Sequence, residues 1–254
     1  MPSLADLVRA SQANLPITIQ HESWLINGAK ITPEAADFTA RALKGEVGGA
    51  RVRGVSLFRA SGAGQCKRKR TFSRLQMSRD ETLDGRTSAI FLAGNFIHLK
   101  WQTAGLSAGW LAEAEVAADR VDLEYGGTLD GVLADGTGLE VKSINTRGFA
   151  VVMDQRSPMK SHLLQVHTYM ALTGIDTFSV VYEDKNNQDW KEFRVVKDSM
   201  LEEQVGKEMD EMREIWATKS LPPVLPDCQR KTGFEYQGCP YRKDCLKIQE
   251  WPGG

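Results

Sequence analysis

Apolar residues recur along the chain with two different periods, and the stretches of each period alternate. Thr32-Pro33-Glu34 reads as an N-cap followed by proline at the first helical position, opening a helix to about Lys44 before Gly45. A second helical pattern covers about 86–104, with Ile90, Ile97 and Trp101 among its apolar positions and Gly105 as its stop. A third spans 160–172 and ends at Gly174. Asp198 caps a fourth that runs to about Ala217, whose Met200, Leu201, Val205, Met209, Met212 and Trp216 form one apolar stripe, read as core packing. Pro222, Pro223 and Pro226 then break the helical pattern.

Between the helices lie strand signals. Residues 113–117 alternate apolar and polar. Residues 127–133 and 139–144 flank the turn formers Ala134-Asp135-Gly136-Thr137-Gly138, which predicts an antiparallel pair. Residues 177–182 and 190–196 flank Asn186-Asn187 as a later hairpin. The expected fold class is therefore α/β, a central mixed β-sheet with helices on its faces.

Composition narrows the class. With 254 residues, 41% hydrophobic and 26% charged, the chain can bury one sizeable core without disulfides. No apolar run reaches membrane-spanning length, and no repeat or low-complexity tract interrupts the pattern. Asp6, Arg9 and Asn14 interrupt the first twenty residues, unlike an apolar leader. A reducing cytoplasm is the expected setting, and there four cysteines suggest metal ligation more than disulfides.

The candidate chemistry sits on the 127–144 hairpin. Glu140 and Lys142 share one face of a strand while Val141 points to the other. The hairpin would bring Asp130 beside Glu140. Two converging carboxylates repel unless a cation lies between them, and such hard oxygen ligands favour Mg²⁺ or Mn²⁺. Lys142 would position a metal-bound water or steady charge developing on a phosphate. A solvated hairpin with surface salt bridges is the plainer reading of the same pattern.

Two helices add to it. Gly94-Asn95-Phe96-Ile97-His98 lies on the second helix, and Gln165 and Tyr169, one turn apart, share a face of the third. The order G-x-x-x-H, D, E-x-K, Q-x-x-x-Y resembles the PD-(D/E)xK nuclease superfamily and its RecB-like exonuclease branch, although Leu129 stands where the family's name has proline. The resemblance implies a restriction-endonuclease-like sheet and a metal-dependent deoxyribonuclease that hydrolyses DNA from its ends. By position it makes His98, Asp130, Glu140 and the carbonyl of Val141 ligands of Mg²⁺ or Mn²⁺, and Lys142 catalytic. Gln165 and Tyr169 would line the DNA side of the site. Glu115, on the 113–117 strand, would face the metal side or else be an exposed strand carboxylate.

The cysteines carry a second likeness. Cys66 lies upstream of this core and Cys228, Cys239 and Cys245 lie after it, which is similar to the CRISPR-associated exonucleases and the AddB nuclease domain with their [4Fe-4S] cluster. The wide gap between Cys228 and Cys239 leaves Zn²⁺ as an alternative. Either would clasp residues 50–79 and 219–254 into a cluster-binding subregion beside a nuclease core at 80–218, within a single domain over 1–254.

The net charge of −1 makes the basic run a local feature. Lys67, Arg68, Lys69, Arg70 and Arg74, with Arg79 beyond them, are candidate contacts for DNA phosphates, with Phe72 as a possible stacking surface and a solvated basic loop as the alternative. Lys185 is a further candidate, weighed against an ordinary surface lysine. Alternative functions are an endonuclease or flap nuclease at branched DNA, or a DNA-binding subunit recruited to a helicase, recombinase or integration complex. A bacterial or phage-infected cell is the expected host.

Overall fold

A computed structural model describes residues 15–47, 55–80 and 84–252. Its helices in chain order are α1 (Ile17–Ile26), α2 (Pro33–Leu43), α3 (Lys67–Arg74), α4 (Gly85–Ala108), α5 (Thr146–Met153), α6 (Lys160–Thr173) and α7 (Ser199–Thr218). Three short helical turns follow, α8 (Pro226–Gln229), α9 (Gly233–Gln237) and α10 (Arg242–Cys245). The strands are β1 (Phe58–Arg59), β2 (Leu111–Ala117), β3 (Tyr125–Gly126), β4 (Thr128–Leu133), β5 (Gly138–Ile144), β6 (Thr177–Asp184) and β7 (Trp190–Val196).

Local chemistry accounts for most helix ends. The Thr32 hydroxyl accepts from Ala35 N at 3.3 Å ahead of Pro33, and Asp198 accepts from Leu201 N at 2.9 Å. Helix α4 departs from expectation at its C-terminal end. It begins after Asp84, whose carboxylate accepts from Thr87 N at 2.6 Å, and it passes through Gly105 to end at Gly109, which takes the left-handed conformation at φ 80°. Gly105 is small for another reason: a Cβ there would lie 2.6 Å from Leu111 and 2.7 Å from Trp110. The stripe on α7 also differs at one end, because Val205, Met209 and Met212 are buried but Met200 is 78% exposed.

The main sheet has the order β2-β4-β5-β6-β7. Strands β5 and β6 are parallel, joined by a crossover through α5 and α6, and the other neighbours are antiparallel. A separate two-stranded parallel pair joins β1 to β3. Alternation along β5 and β6 sends Leu139, Val141 and Val181 into a core shared with Ile97 and Trp101 of α4 and Ile17 of α1. Phe178, Val180 and Tyr182 point the other way, into the larger core with Leu164 and Tyr169 of α6 and Met209 and Met212 of α7. The result is the expected mixed sheet with helices on both faces.

A third, smaller cluster stands apart. Phe72 of α3 packs with Tyr241 and Cys245, and Leu75, Leu221, Val224 and Ile248 surround them. The chain segments at 66–80 and 219–252 thus meet. Residues 50–54 of the first subregion lie outside the described residues.

Candidate active site on the central strands

Strands β4 and β5 pair only at Gly131–Leu139 and Val132–Gly138, next to their turn, and part beyond it. β5 instead follows β6 over its whole length, from Gly138–Phe178 to Ile144–Asp184. Asp130 fills the opening. Its Oδ2 accepts a hydrogen bond from Val141 N at 2.6 Å, and its Oδ1 lies 2.8 Å from His98 Nδ1.

Helix α4 supplies that histidine. Gly94 lets the helix come close to β5, since a Cβ there would stand 3.0 Å from the Ser143 hydroxyl. One turn after His98, Gln102 Nε2 donates to the Asp130 carbonyl at 2.9 Å and to Glu115 Oε1 at 2.7 Å. Glu115 has a positive φ of 57° within β2, opposite Asp130 between the registered pairs Ala114–Gly131 and Val116–Leu129. Glu115 therefore meets the site through Gln102. The sequence signal for Gln102 is its position four residues after His98 on one helix.

Glu140 and Lys142 share the other face of β5, as their spacing predicts. Glu140 Oε1 lies 2.6 Å from Lys142 Nζ and accepts from Gln165 Nε2 at 2.8 Å. Lys142 Nζ donates in turn to Gln165 Oε1 at 2.9 Å, closing a three-membered ring of contacts with α6. Glu140 is 3% exposed, and its second oxygen, Oε2, is buried without a hydrogen-bond partner.

The charges follow from this geometry. Burial drives the Glu140 carboxyl upward, Lys142 opposes it and Asp130 adds to it, with the result pushed up to about 7. Burial also works against ionisation of Asp130, but the His98 imidazole and the bond from Val141 outweigh it and hold that carboxyl below its ordinary range. His98 loses solvation on burial, yet Asp130 raises it above its ordinary value. Asp130 is thus held toward its charged form while the Glu140 carboxyl is pushed toward protonation.

Tyr169 follows Gln165 by one turn on α6 and is buried. It is 3% exposed and donates its hydroxyl to the Thr128 carbonyl at 2.9 Å, with its ring stacked on Phe178. It secures β4 from below. A residue not singled out in the sequence lies on the same helix: His162, three residues before Gln165, has Nδ1 2.7 Å from the Tyr182 hydroxyl. Burial and then Lys142 push His162 down to about 4, so this imidazole is neutral.

The basic run also differs from expectation. Arg68 donates to the carbonyls of Pro222, Cys245 and Ile248. Arg70 pairs with Glu208 and donates to the Tyr125 hydroxyl. Arg74 pairs with Glu124, donates to Ser56 O at 2.9 Å and lies against the Trp216 ring. All three are buried, as is Phe72, which leaves no stacking surface there. Lys67 pairs with Glu211 at 2.5 Å, and Lys69 is partly exposed.

Cys66, Cys228, Cys239 and Cys245 line one small cavity and carry free thiols. Burial, reinforced by the neighbouring thiols, pushes Cys228 up to about 11, and burial raises Cys239 and Cys245. Among the described residues no three His, Cys, Asp or Glu side chains are already drawn together as a metal-binding group. No helix among them is long and apolar enough to cross a membrane.

No protein-family model matches the chain, and no curated protein sequence does. Solved structures do. The chain is similar to LHK-Exo in complex with dAMP, with a TM-score of 0.52 and 16% identity over 65% of this chain and 90% of that one. It also matches the alkaline exonuclease LHK-Exo from Laribacter hongkongensis, at TM-score 0.48 and 15% identity over the same shares. SSO0001 matches at TM-score 0.46 and 13% identity over 85% of this chain and 95% of that one. The chain shares with LHK-Exo a fold, the mixed sheet flanked by helices that carries the Asp130–Glu140–Lys142 cluster.

Proposed function

We propose that the chain is a divalent-metal-dependent deoxyribonuclease that hydrolyses phosphodiester bonds from DNA ends. Glu140 is the observation that carries this reading. A buried carboxylate with one oxygen unpartnered is costly unless something positive compensates it. Lys142 serves only Oε1, so Oε2 and the nearby Asp130 carboxylate offer a hard oxygen pair to a cation. His98, Asp130, Glu140 and the carbonyl of Val141 would hold Mg²⁺ or Mn²⁺. Such an ion, when bound, polarises a phosphate and lowers the pKa of a water.

The chain's own groups do the rest. Gln165 fixes the Lys142 ammonium against Glu140, so that a positive charge stands where an oxygen of the scissile phosphate gains negative charge. Lys142 orients the attacking water by donating to it. Gln102 holds the Asp130 backbone in place and Tyr169 holds β4, both acting through Asp130. No covalent enzyme intermediate is required. The choice of DNA and of ends follows the motif order His98, Asp130, Glu140, Lys142, Gln165, and is in keeping with the exonuclease whose fold the chain shares.

Cys66, Cys228, Cys239 and Cys245 are proposed to hold a [4Fe-4S] cluster, with Zn²⁺ as the alternative. The support is the shared cavity, together with Cys239 and Cys245 packed against α3. Iron, sulfide and zinc assays on protein purified without oxygen separate the two, and absence of all three removes the proposal.

Linear and covalently closed circular DNA, each incubated with Mg²⁺, Mn²⁺ or a chelator, test the main reading. Metal-dependent release of nucleotides from linear DNA alone is expected. Cutting of closed circles would replace it with an endonuclease, and binding without cleavage with a recruitment subunit.

A further inference from the structure

A cavity of about 340 Å³ opens between β1, α3 and the segment around Tyr241. Its lining holds Arg59, Lys69, Arg70, Arg74 and Arg79 and, among the described residues, no Asp or Glu. Two of these cations are already balanced, Arg70 by Glu208 and Arg74 by Glu124. Arg59, Lys69 and Arg79 have no ion pair among the described residues, and Arg59 and Arg79 are exposed. Like charges facing one concavity repel, and low-dielectric walls strengthen the field they set up.

A second observation points the same way. Arg70 is 5% exposed, and its Nε is buried without a hydrogen-bond partner although the rest of its guanidinium is engaged. Gly62 lines the cavity beside it, and a Cβ at Gly62 would lie 3.3 Å from that Nε. The glycine places no side chain beside that N–H, which is buried from water. Ser61 and Ser73 add hydroxyls to the same wall. Uncompensated cations, a buried unpaired guanidinium N–H and hydroxyl donors together match an anion with several acceptor oxygens.

We propose that this cavity is a phosphate-binding site, separate from the Asp130–Glu140 cluster, and that it takes a phosphate of the DNA strand being processed. The connectivity favours the strand as the source: Arg59 pairs with Gly126 of β3, and the next strand, β4, carries Asp130, so the cavity wall and the Asp130–Glu140 cluster are borne by consecutive strands. Choice of the strand as source rests on the nuclease reading, whereas the phosphate chemistry does not. Lys69 lines this cavity and the cysteine cavity alike, which links the two sites.

The test compares the full chain with the Arg59→Gln/Arg79→Gln variant, both exposed positions, and with Arg59→Lys/Arg79→Lys. Anisotropy of a labelled single-stranded oligonucleotide, measured with chelator across a salt series, reads strand phosphates. Calorimetric titration with inorganic phosphate and with a deoxynucleoside monophosphate reads free ones. We expect the glutamine variant to weaken DNA binding about tenfold and to reduce the slope of log K against log salt by about 0.7–1.4, one or two phosphates, with the lysine variant close to wild type. Loss of monophosphate binding with DNA binding unchanged would instead assign a free nucleotide to the same phosphate site. Identical slopes and identical titrations in all three proteins, at equal melting temperatures, overturn the site while leaving the nuclease reading intact. Should wild type bind no DNA, the nuclease reading falls, and the phosphate titrations alone decide: binding abolished by the glutamine pair sustains the site, and no binding in wild type removes it.

Discussion

Asp130 does for Val141 what a neighbouring strand would otherwise do. Its Oδ2 accepts the Val141 N–H at 2.6 Å where β4 and β5 have parted and no ladder bond joins them. The carboxylate is therefore a structural acceptor as well as a candidate metal ligand. Asp130→Ala should abolish nuclease activity and also cost roughly 1–3 kcal/mol, because it strands a buried backbone donor. Asp130→Asn should abolish activity but retain most of the stability, since its amide oxygen still accepts. Urea unfolding of both variants checks the contrast, and equal stability would show that the Val141 bond carries no weight.

Glu140 gives the metal-free protein a pH dependence of defined sign. Its carboxyl is raised from 4.5 to about 7, so the fold binds the extra proton and is favoured below 4.5. That contribution is lost as pH rises through about 7. Glu140→Gln should remove this decline and stabilise the chelated protein by roughly 1–3 kcal/mol near pH 8, while losing about a hundredfold or more in activity. Melting temperatures across pH, with and without Mg²⁺, read the effect. Mg²⁺ should restore wild type at high pH and leave the glutamine variant unmoved.

His21 should make the opposite face of the sheet acid-sensitive. It is fully buried, stacked on Trp101 with ring centroids 4.0 Å apart, and neither ring nitrogen has a partner. Burial, and then Lys100, lower it to about 4. A depressed histidine contributes stability that is complete above its ordinary 6.5 and is lost as pH falls through about 4. Trp24, Trp101 and Trp190 all lie around the ring, so tryptophan fluorescence reports the transition. His21→Phe, which keeps the stacking, should flatten it.

Gly105→Ala tests the packing of α4 on β2. Alanine favours a helix interior by about 1 kcal/mol over glycine. Here the added methyl would meet Leu111 and Trp110 inside van der Waals contact, and overpacking of that kind costs about 1–3 kcal/mol. Net destabilisation in thermal unfolding is expected, whereas a gain would mean that Trp110 can move aside.

Much of the site was legible because it depends on short intervals. The two-residue step from Glu140 to Lys142 and the four-residue step from Gln165 to Tyr169 define common faces in any strand or helix, and the Pro33 and Gly174 helix signals act locally. Distance in sequence hid the rest. Arg68, Arg70 and Arg74 read as a surface run because their acceptors at Pro222, Glu208 and Glu124 lie far along the chain. Gly105 read as a helix stop because the demand on it comes from Trp110 and Leu111 after the turn. The placement of Asp130 between strands required the parting of β4 from β5, which alternation alone does not encode. Helices α1 and α5 also escaped notice, α5 being capped by the Asn145 carboxamide that accepts from Gly148 N at 2.8 Å.

The most direct measurement is degradation of end-labelled linear DNA in Mn²⁺ or Mg²⁺ by wild type and by Lys142→Ala, purified alike without oxygen. Lys142 bonds only Glu140 and Gln165 among the described residues, so the variant should fold. The account predicts metal-dependent release of the label by wild type and a loss of about a hundredfold or more in the variant, which should fold with a lowered melting temperature because Glu140 loses its cation. Equal activity in the two proteins, or none in wild type on any DNA, would contradict it.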